Sequence, residues 1–188
     1  AYDHSQDFNY FVLKNLNIQL DTVGCLKLIS DYMFKVYPKW DSSKWMIPAR
    51  TGEEKGLQAN YVAITVTPKD NYSSLKHKLK YKLKNGEHIV LDILSRVGLF
   101  FGKKVILKQS QDMLRGSSPG WAGSISNLKD LGSSSSVKDL IMLAPVRWHR
   151  PLGIALYNFN QESHLTVCVH RSLNDFDLNR LERYVLGN

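Results

Sequence analysis

The sequence predicts an α+β domain, a mixed, mainly antiparallel sheet covered by helices. Three observations predict it. Apolar residues recur at three- and four-residue spacing in two segments opened by capping aspartates, one beginning at Asp21 and one at Asp175 or Asp177. NYVAITVTP, residues 60–68, is dense in Val, Ile, Thr and Tyr and stops at a proline. GIALYNF and HLTVCVH face each other across NQES, the composition of a β-hairpin. Residues 1–188 read as one domain, with 1–19 as an entry segment.

Along the chain, residues 8–18 mix aromatic and branched side chains with partial alternation, as a strand or an entry loop would. Asp21 then offers an N-cap, and Val23, Leu26, Ile29, Met33 and Val36 form one helical face that ends before Pro38. KWDSSK reads as a loop, and WMIPAR, residues 45–50, as a short apolar run interrupted by Pro48. After the strand at 60–68, residues 73–84 fit two periods. Leu75, Leu79 and Leu83 share a helical face, whereas Leu79, Tyr81 and Leu83 alternate with lysines as a strand would. Ser73 and Ser74 at the start and Asn85-Gly86 at the end favour the helix. A second helix is expected over 87–101 from Ile89, Ile93, Val97 and Phe100 or Phe101. GSSPGW is a loop, GSISN a short strand, LGSSSS a flexible run, and VKDLIML a short apolar stretch before the irregular LAPVRWHRP. The hairpin follows, then a closing helix with Leu178, Leu181 and Val185 inward.

Composition excludes several classes. Hydrophobic residues make up 43% of the chain, which places it among globular proteins and away from disordered ones. No apolar run approaches the length of a membrane span, so a soluble, cytoplasmic protein is expected. Cys25 and Cys168 lie in apolar-periodic segments and read as reduced core residues, and no metal-ligand spacing occurs. Much of the excess behind the formal charge of +8 sits in KHKLKYKLK, residues 76–84, and in Lys103, Lys104 and Lys108 further on. Such a patch attracts nucleic acid, an anionic membrane or a phosphate-bearing cofactor, or it is simply a solvated helix face. Nucleic acid is the weaker expectation, because no arginine-rich groove or aromatic-glycine RNA signature accompanies the lysines. A phosphate-binding glycine loop is absent, and a serine-hydrolase elbow is not expected: Gly116-Ser-Ser-Pro-Gly120 has the Gly-x-Ser-x-Gly spacing but reads as a loop, without the strand-turn-helix context the elbow needs.

The order of elements carries a resemblance. IPARTG, ANYVAITVTP, SISNLKDLG and the terminal PLGIALYNFNQESHLTVCVH are similar, in that succession, to the C-terminal lobe of the chloramphenicol-acetyltransferase-like acyltransferases. That superfamily includes condensation domains of peptide synthetases, alcohol acetyltransferases and wax-ester-type synthases. The resemblance spans roughly residues 20–185 and rests on order more than identity. It implies one lobe of a two-lobed fold, with a thioester donor entering a tunnel from one side and an alcohol or amine acceptor from the other. No cofactor would be bound permanently, and coenzyme A or a carrier-protein pantetheine would be the donor substrate. The general base of the family is a histidine in a His-His-x-x-x-Asp-Gly motif of the N-terminal lobe. No such motif occurs here: the opening AYDHSQDF holds His4 and Asp7 three apart, without the trailing glycine. The catalytic histidine is therefore expected on an N-terminal lobe, in the same polypeptide or a second chain. The first residue is not methionine, so the numbering is expected to begin after a removed tag or an upstream segment.

If the resemblance holds, Ser124, Ser126 and Asn127 line the tunnel and donate hydrogen bonds to the thioester carbonyl or the pantetheine amides. On residues alone the same Ser-Asn pair fits a turn. Arg147, His149 and Arg150 surround Trp148 as an anion-binding or donor-binding cluster, or form a surface loop beside Pro151. His170 falls at a strand end, where a structural role is the usual one. Two other functions stay open: a lobe without chemistry that serves as an interaction module, and a basic nucleic-acid-binding domain.

Overall fold

A computed structural model of the chain describes residues 8–14, 20–50, 59–90, 121–146, 150–173 and 175–187. Among them are six strands and three long helices. They run β1 (Phe8–Lys14), α1 (Thr22–Val36), β2 (Ser43–Arg50), β3 (Ala59–Val66), α2 (Tyr72–Lys84), β4 (Trp121–Asp130), β5 (Leu152–Phe159), β6 (Glu162–His170) and α3 (Leu178–Leu186). The strands form one sheet in the order β1-β6-β5-β4-β2-β3. Pairings β1·β6, β5·β6 and β2·β3 are antiparallel, while β4 lies parallel to both β2 and β5. The sheet is thus mixed and mainly antiparallel.

All three helices begin on side-chain caps, which satisfy amide donors that the first turn leaves unpaired. Asp21 Oδ1 accepts from Gly24 N at 2.7 Å. Asn71 and Ser74 form a reciprocal capping box at the start of α2. Asp177 Oδ1 accepts from Asn179 N and Arg180 N. The helices cover one face of the sheet, where Trp45, Ile64, Ile125, Ile154 and Leu165 meet Leu26, Ile29, Met33, Leu75 and Leu181. Trp45 is buried without an orphaned polar atom, because Nε1 donates to Ser43 Oγ at 2.9 Å.

Residues 137–146 form a strap without regular structure on the other face. Leu140, Met142 and Ala144 pack on Ala155, Tyr157 and Phe159. Side chains of the sheet hold the strap's backbone: Tyr157 OH donates to Leu140 O at 2.8 Å, and Thr166 Oγ1 donates to Met142 O. The approach is close at Gly153, where a Cβ would run into the carbonyl of Ala144.

Several expectations change in detail. WMIPAR belongs to a full strand, β2, and Pro48 is tolerated because β4 pairs β2 only at Lys44–Met46. On its other side Pro48 stands opposite Tyr61 of β3. GSISN is part of a ten-residue strand that continues through Lys129 to Asp130, beyond the short strand expected and through residues that on their own also fit a turn. The hairpin loop is Asn160-Gln161, with φ of 50° and 65°, so both central residues adopt the left-handed conformation of a type I′ turn. Of the helix expected over 87–101, residues 87–90 are helical and the remainder lies outside the described residues, as do 103–116.

Candidate functional site

The site grows from an irregularity in β4. Asn127 pairs with Leu156 of β5, but the next pair is Asp130 with Asn158. One extra β4 residue is thereby squeezed into the ladder, and Lys129 takes a left-handed φ of 57°. Asn127 supports the bulge, since its Oδ1 accepts from Lys129 N at 3.0 Å. The strand then leaves the sheet through Gly132, whose N–H is held by Asp130 Oδ1 at 2.8 Å.

Helix starts converge on the same end. Asn127 Nδ2 donates to Thr22 Oγ1 at 3.3 Å, tying the end of β4 to the first residue of α1. Asp21, which caps α1 with one oxygen, accepts from Tyr72 OH with the other at 2.6 Å. This bond to the carboxylate pushes the Tyr72 phenol above its ordinary value. Between these groups lies a cleft of about 770 Å³, lined among others by Asp21, Gly24, Tyr72, Asn127, Lys129 and His164. It is in the size range of small-molecule sites. It opens where β4 and β5 end in parallel and α1 begins.

The sequence-predicted residues divide by strand alternation. Ile125 belongs to the helix-side core, so Ser124 and Ser126 face the opposite side. Ser124 is buried between its register partners Met46 and Gly153, and Ser126 stands beside Ala155. Arg150 reaches this side too, its Nη1 donating to Met46 Sδ at 3.0 Å. Asn127 turns to the helix side and joins the cleft. Ser124, Ser126 and Arg150 thus share one face of β4, and Asn127 the other. Arg147 and His149 lie outside the described residues.

Two buried histidines were not singled out by sequence. His164 is 3% exposed, and its ring stacks on Tyr157 with centroids 4.9 Å apart and planes 5° from parallel. Neither ring nitrogen has a hydrogen-bond partner among the described residues, and Glu162 Oε2 is 4.0 Å from Nε2. In the sequence it looks like one more alternating residue of HLTVCVH. His88 is the other: with Asp92 it makes a His-x-x-x-Asp spacing. It lacks the preceding histidine and the following glycine. His88 is buried with Nδ1 unpartnered among the described residues, and Asp92 lies outside them. His170, by contrast, is tied locally, with Nδ1 2.9 Å from Ser172 Oγ.

Both thiols are buried, which disfavours the thiolate. Burial pushes Cys25 up to about 12, with Asp21 adding to the effect, and pushes Cys168 up to about 11. Among the described residues, no group of three His, Cys, Asp or Glu side chains is placed to hold a metal. No described helix is long and apolar enough to cross a membrane.

No protein-family model matches the chain, and no curated protein matches it. Solved structures do share its fold. One is the epimerization domain from the third module of tyrocidine synthetase B, with 10% identity and a TM-score of 0.50 over 96% of this chain and 47% of that one. Another is the starter condensation domain of rhizomide synthetase, with 11% identity and a TM-score of 0.51 over 95% and 45%. A mutant of that domain reaches a TM-score of 0.55 at 10% identity, over 96% and 44%. The chain spans under half the length of each of these structures. Its fold is that of one lobe of a condensation-domain-type structure.

Proposed function

We propose that this chain is the C-terminal lobe of an acyltransferase that moves an acyl or peptidyl group from a thioester to an alcohol or amine. The observation that carries the reading is the fold match, which covers nearly all of this chain and under half of the condensation and epimerization domains. A partner lobe, in the same polypeptide or a second chain, supplies the remainder and the general base.

In this reading the acceptor loses its proton to a histidine of the partner lobe as its oxygen or nitrogen attacks the thioester carbonyl carbon. The tetrahedral oxyanion collapses, the carbon–sulfur bond breaks, and the thiolate leaves with that proton. The cleft at Asn127 takes the pantetheine arm, whose amides need donors and acceptors of the kind Asn127 and Lys129 provide. Ser124 and Ser126, which face the other side of the same strand, and Arg147, His149 and Arg150 are the tunnel, oxyanion and anion-binding candidates for a donor that enters along that side instead. Coenzyme A or a carrier-borne pantetheine is the donor, and the setting is cytoplasmic. Alcohol acetyltransferases and wax-ester-type synthases illustrate the acceptor chemistry.

The test is titration of ¹⁵N-labelled chain with coenzyme A and with pantetheine. Shifts should cluster at Gly24, Asn127 and Lys129, and Asn127→Ala should weaken binding about five- to tenfold. No cleft shift with either compound, with and without a co-expressed partner lobe, overturns the reading.

A further inference from the structure

We propose that α2 and the turn that follows it form a docking face for an anionic membrane surface. The five lysines of α2 sort into two groups. Lys78 is committed to Asp70, 2.7 Å from each carboxylate oxygen, and Lys82 to Glu87 at 2.6 Å. Lys76, Lys80 and Lys84 are exposed and have no carboxylate partner among the described residues. Lys76 meets only the face of Tyr72, 5.6 Å from the ring centroid. Four-residue spacing sets these three ammonium groups about 6 Å apart along the axis, in one continuous row. The helix contains no acidic residue that would offset them.

Apolar side chains stand at the same end. Tyr81 is 61% exposed, Leu83 40%, Ile89 44% and Val90 52%. A nucleic-acid backbone would pair with the lysines and leave these apolar side chains in water. A bilayer with anionic headgroups satisfies both, because lysine stems lie along apolar surface while their ammonium groups reach the phosphates. The row is lysine throughout, as suits diffuse headgroup charge; paired recognition of single phosphates favours arginine. The capping box means the helix is formed before contact, so docking involves no folding step.

The test is co-sedimentation of the chain with vesicles of mixed phosphatidylserine and phosphatidylcholine, and with pure phosphatidylcholine. Binding is expected to the mixed vesicles and to weaken with salt. Replacing Lys76, Lys80 and Lys84 together by glutamine should cost about a hundredfold, at about fivefold for each lysine. Leu83→Ser with Val90→Ser should cost about tenfold while leaving the charge unchanged. All five positions are exposed, and circular dichroism of each variant confirms that it is folded. Equal sedimentation with both vesicle types overturns the proposal. So does full retention of binding by the serine variant together with equal affinity for heparin, which would make the face a general polyanion site.

Discussion

Asp70 shows how one side chain holds a junction together. It is buried at the turn between β3 and α2, and burial alone would raise its pKa. Lys78, the Thr67 amide, and the Ser74 and Thr67 hydroxyls all donate to it and hold it well below the usual carboxylate range. A depressed carboxylate contributes stability above its unfolded pKa and loses it as pH falls through the folded value. Asp70→Asn should therefore cost about 1–2 kcal/mol at neutral pH, discounted for the part-exposed Lys78. The difference from wild type should shrink below about pH 4 in urea titrations. A constant difference down to pH 2 would refute this account. The cysteines give a second residue-scale expectation. At pH 8 both thiols should react with a disulfide reagent at under about one hundredth of the rate seen after unfolding, since burial keeps them protonated.

Among the elements, the helices were legible and the central strand was not. Val23, Leu26, Ile29 and Met33 announce α1 by period alone, and all four are buried. The hairpin was likewise visible in the two apolar runs around NQES, although its tight Asn160-Gln161 turn was not. The extent of β4 was hidden, because Asn127-Leu128-Lys129-Asp130 has the composition of a turn and parallel pairing leaves no local mark. The same blindness split the expected site: Ser126 and Asn127 are adjacent in sequence, and in a strand that puts them on opposite faces. The cleft needs the β4 bulge, α1 and α2 together, and no one segment encodes that. Two substitutions test these elements. Gly123→Ala should destabilise by about 3 kcal/mol or prevent folding, because its Cβ would run into the Leu152 carbonyl of β5. Gln161→Gly should raise stability by about 0.5–1 kcal/mol, as glycine takes the left-handed position without a Cβ penalty. Chemical denaturation measures both.

At the scale of the whole molecule, the sheet separates two chemistries. One face is dry core beneath three helices, and the other carries a strap held by hydroxyl groups from Tyr157 and Thr166. Tyr157→Phe removes the hydroxyl that donates to Leu140 O while keeping the ring that stacks on His164. The strap should then exchange its amides faster near Leu140–Met142, with α1 and α3 unaffected, as hydrogen exchange would show. Uniform acceleration across the chain would mean the strap is integral to global stability.

The position of β4 also bears on how the chain acquires its structure. Its two neighbours, β2 and β5, each belong to an antiparallel pair made from adjacent strands, whereas β4 joins them only through parallel contacts across long connections. Closing those connections costs chain entropy before any pairing repays it, so the two hairpins should form early and β4 should enter late. Ile125→Val, in the middle of β4, should then speed unfolding and leave the refolding rate nearly unchanged. Until that strand arrives, both hairpins present open edges to other chains. The protein's main hazard during synthesis is therefore the interval before the strand carrying Ser124, Ser126 and Asn127 closes the gap.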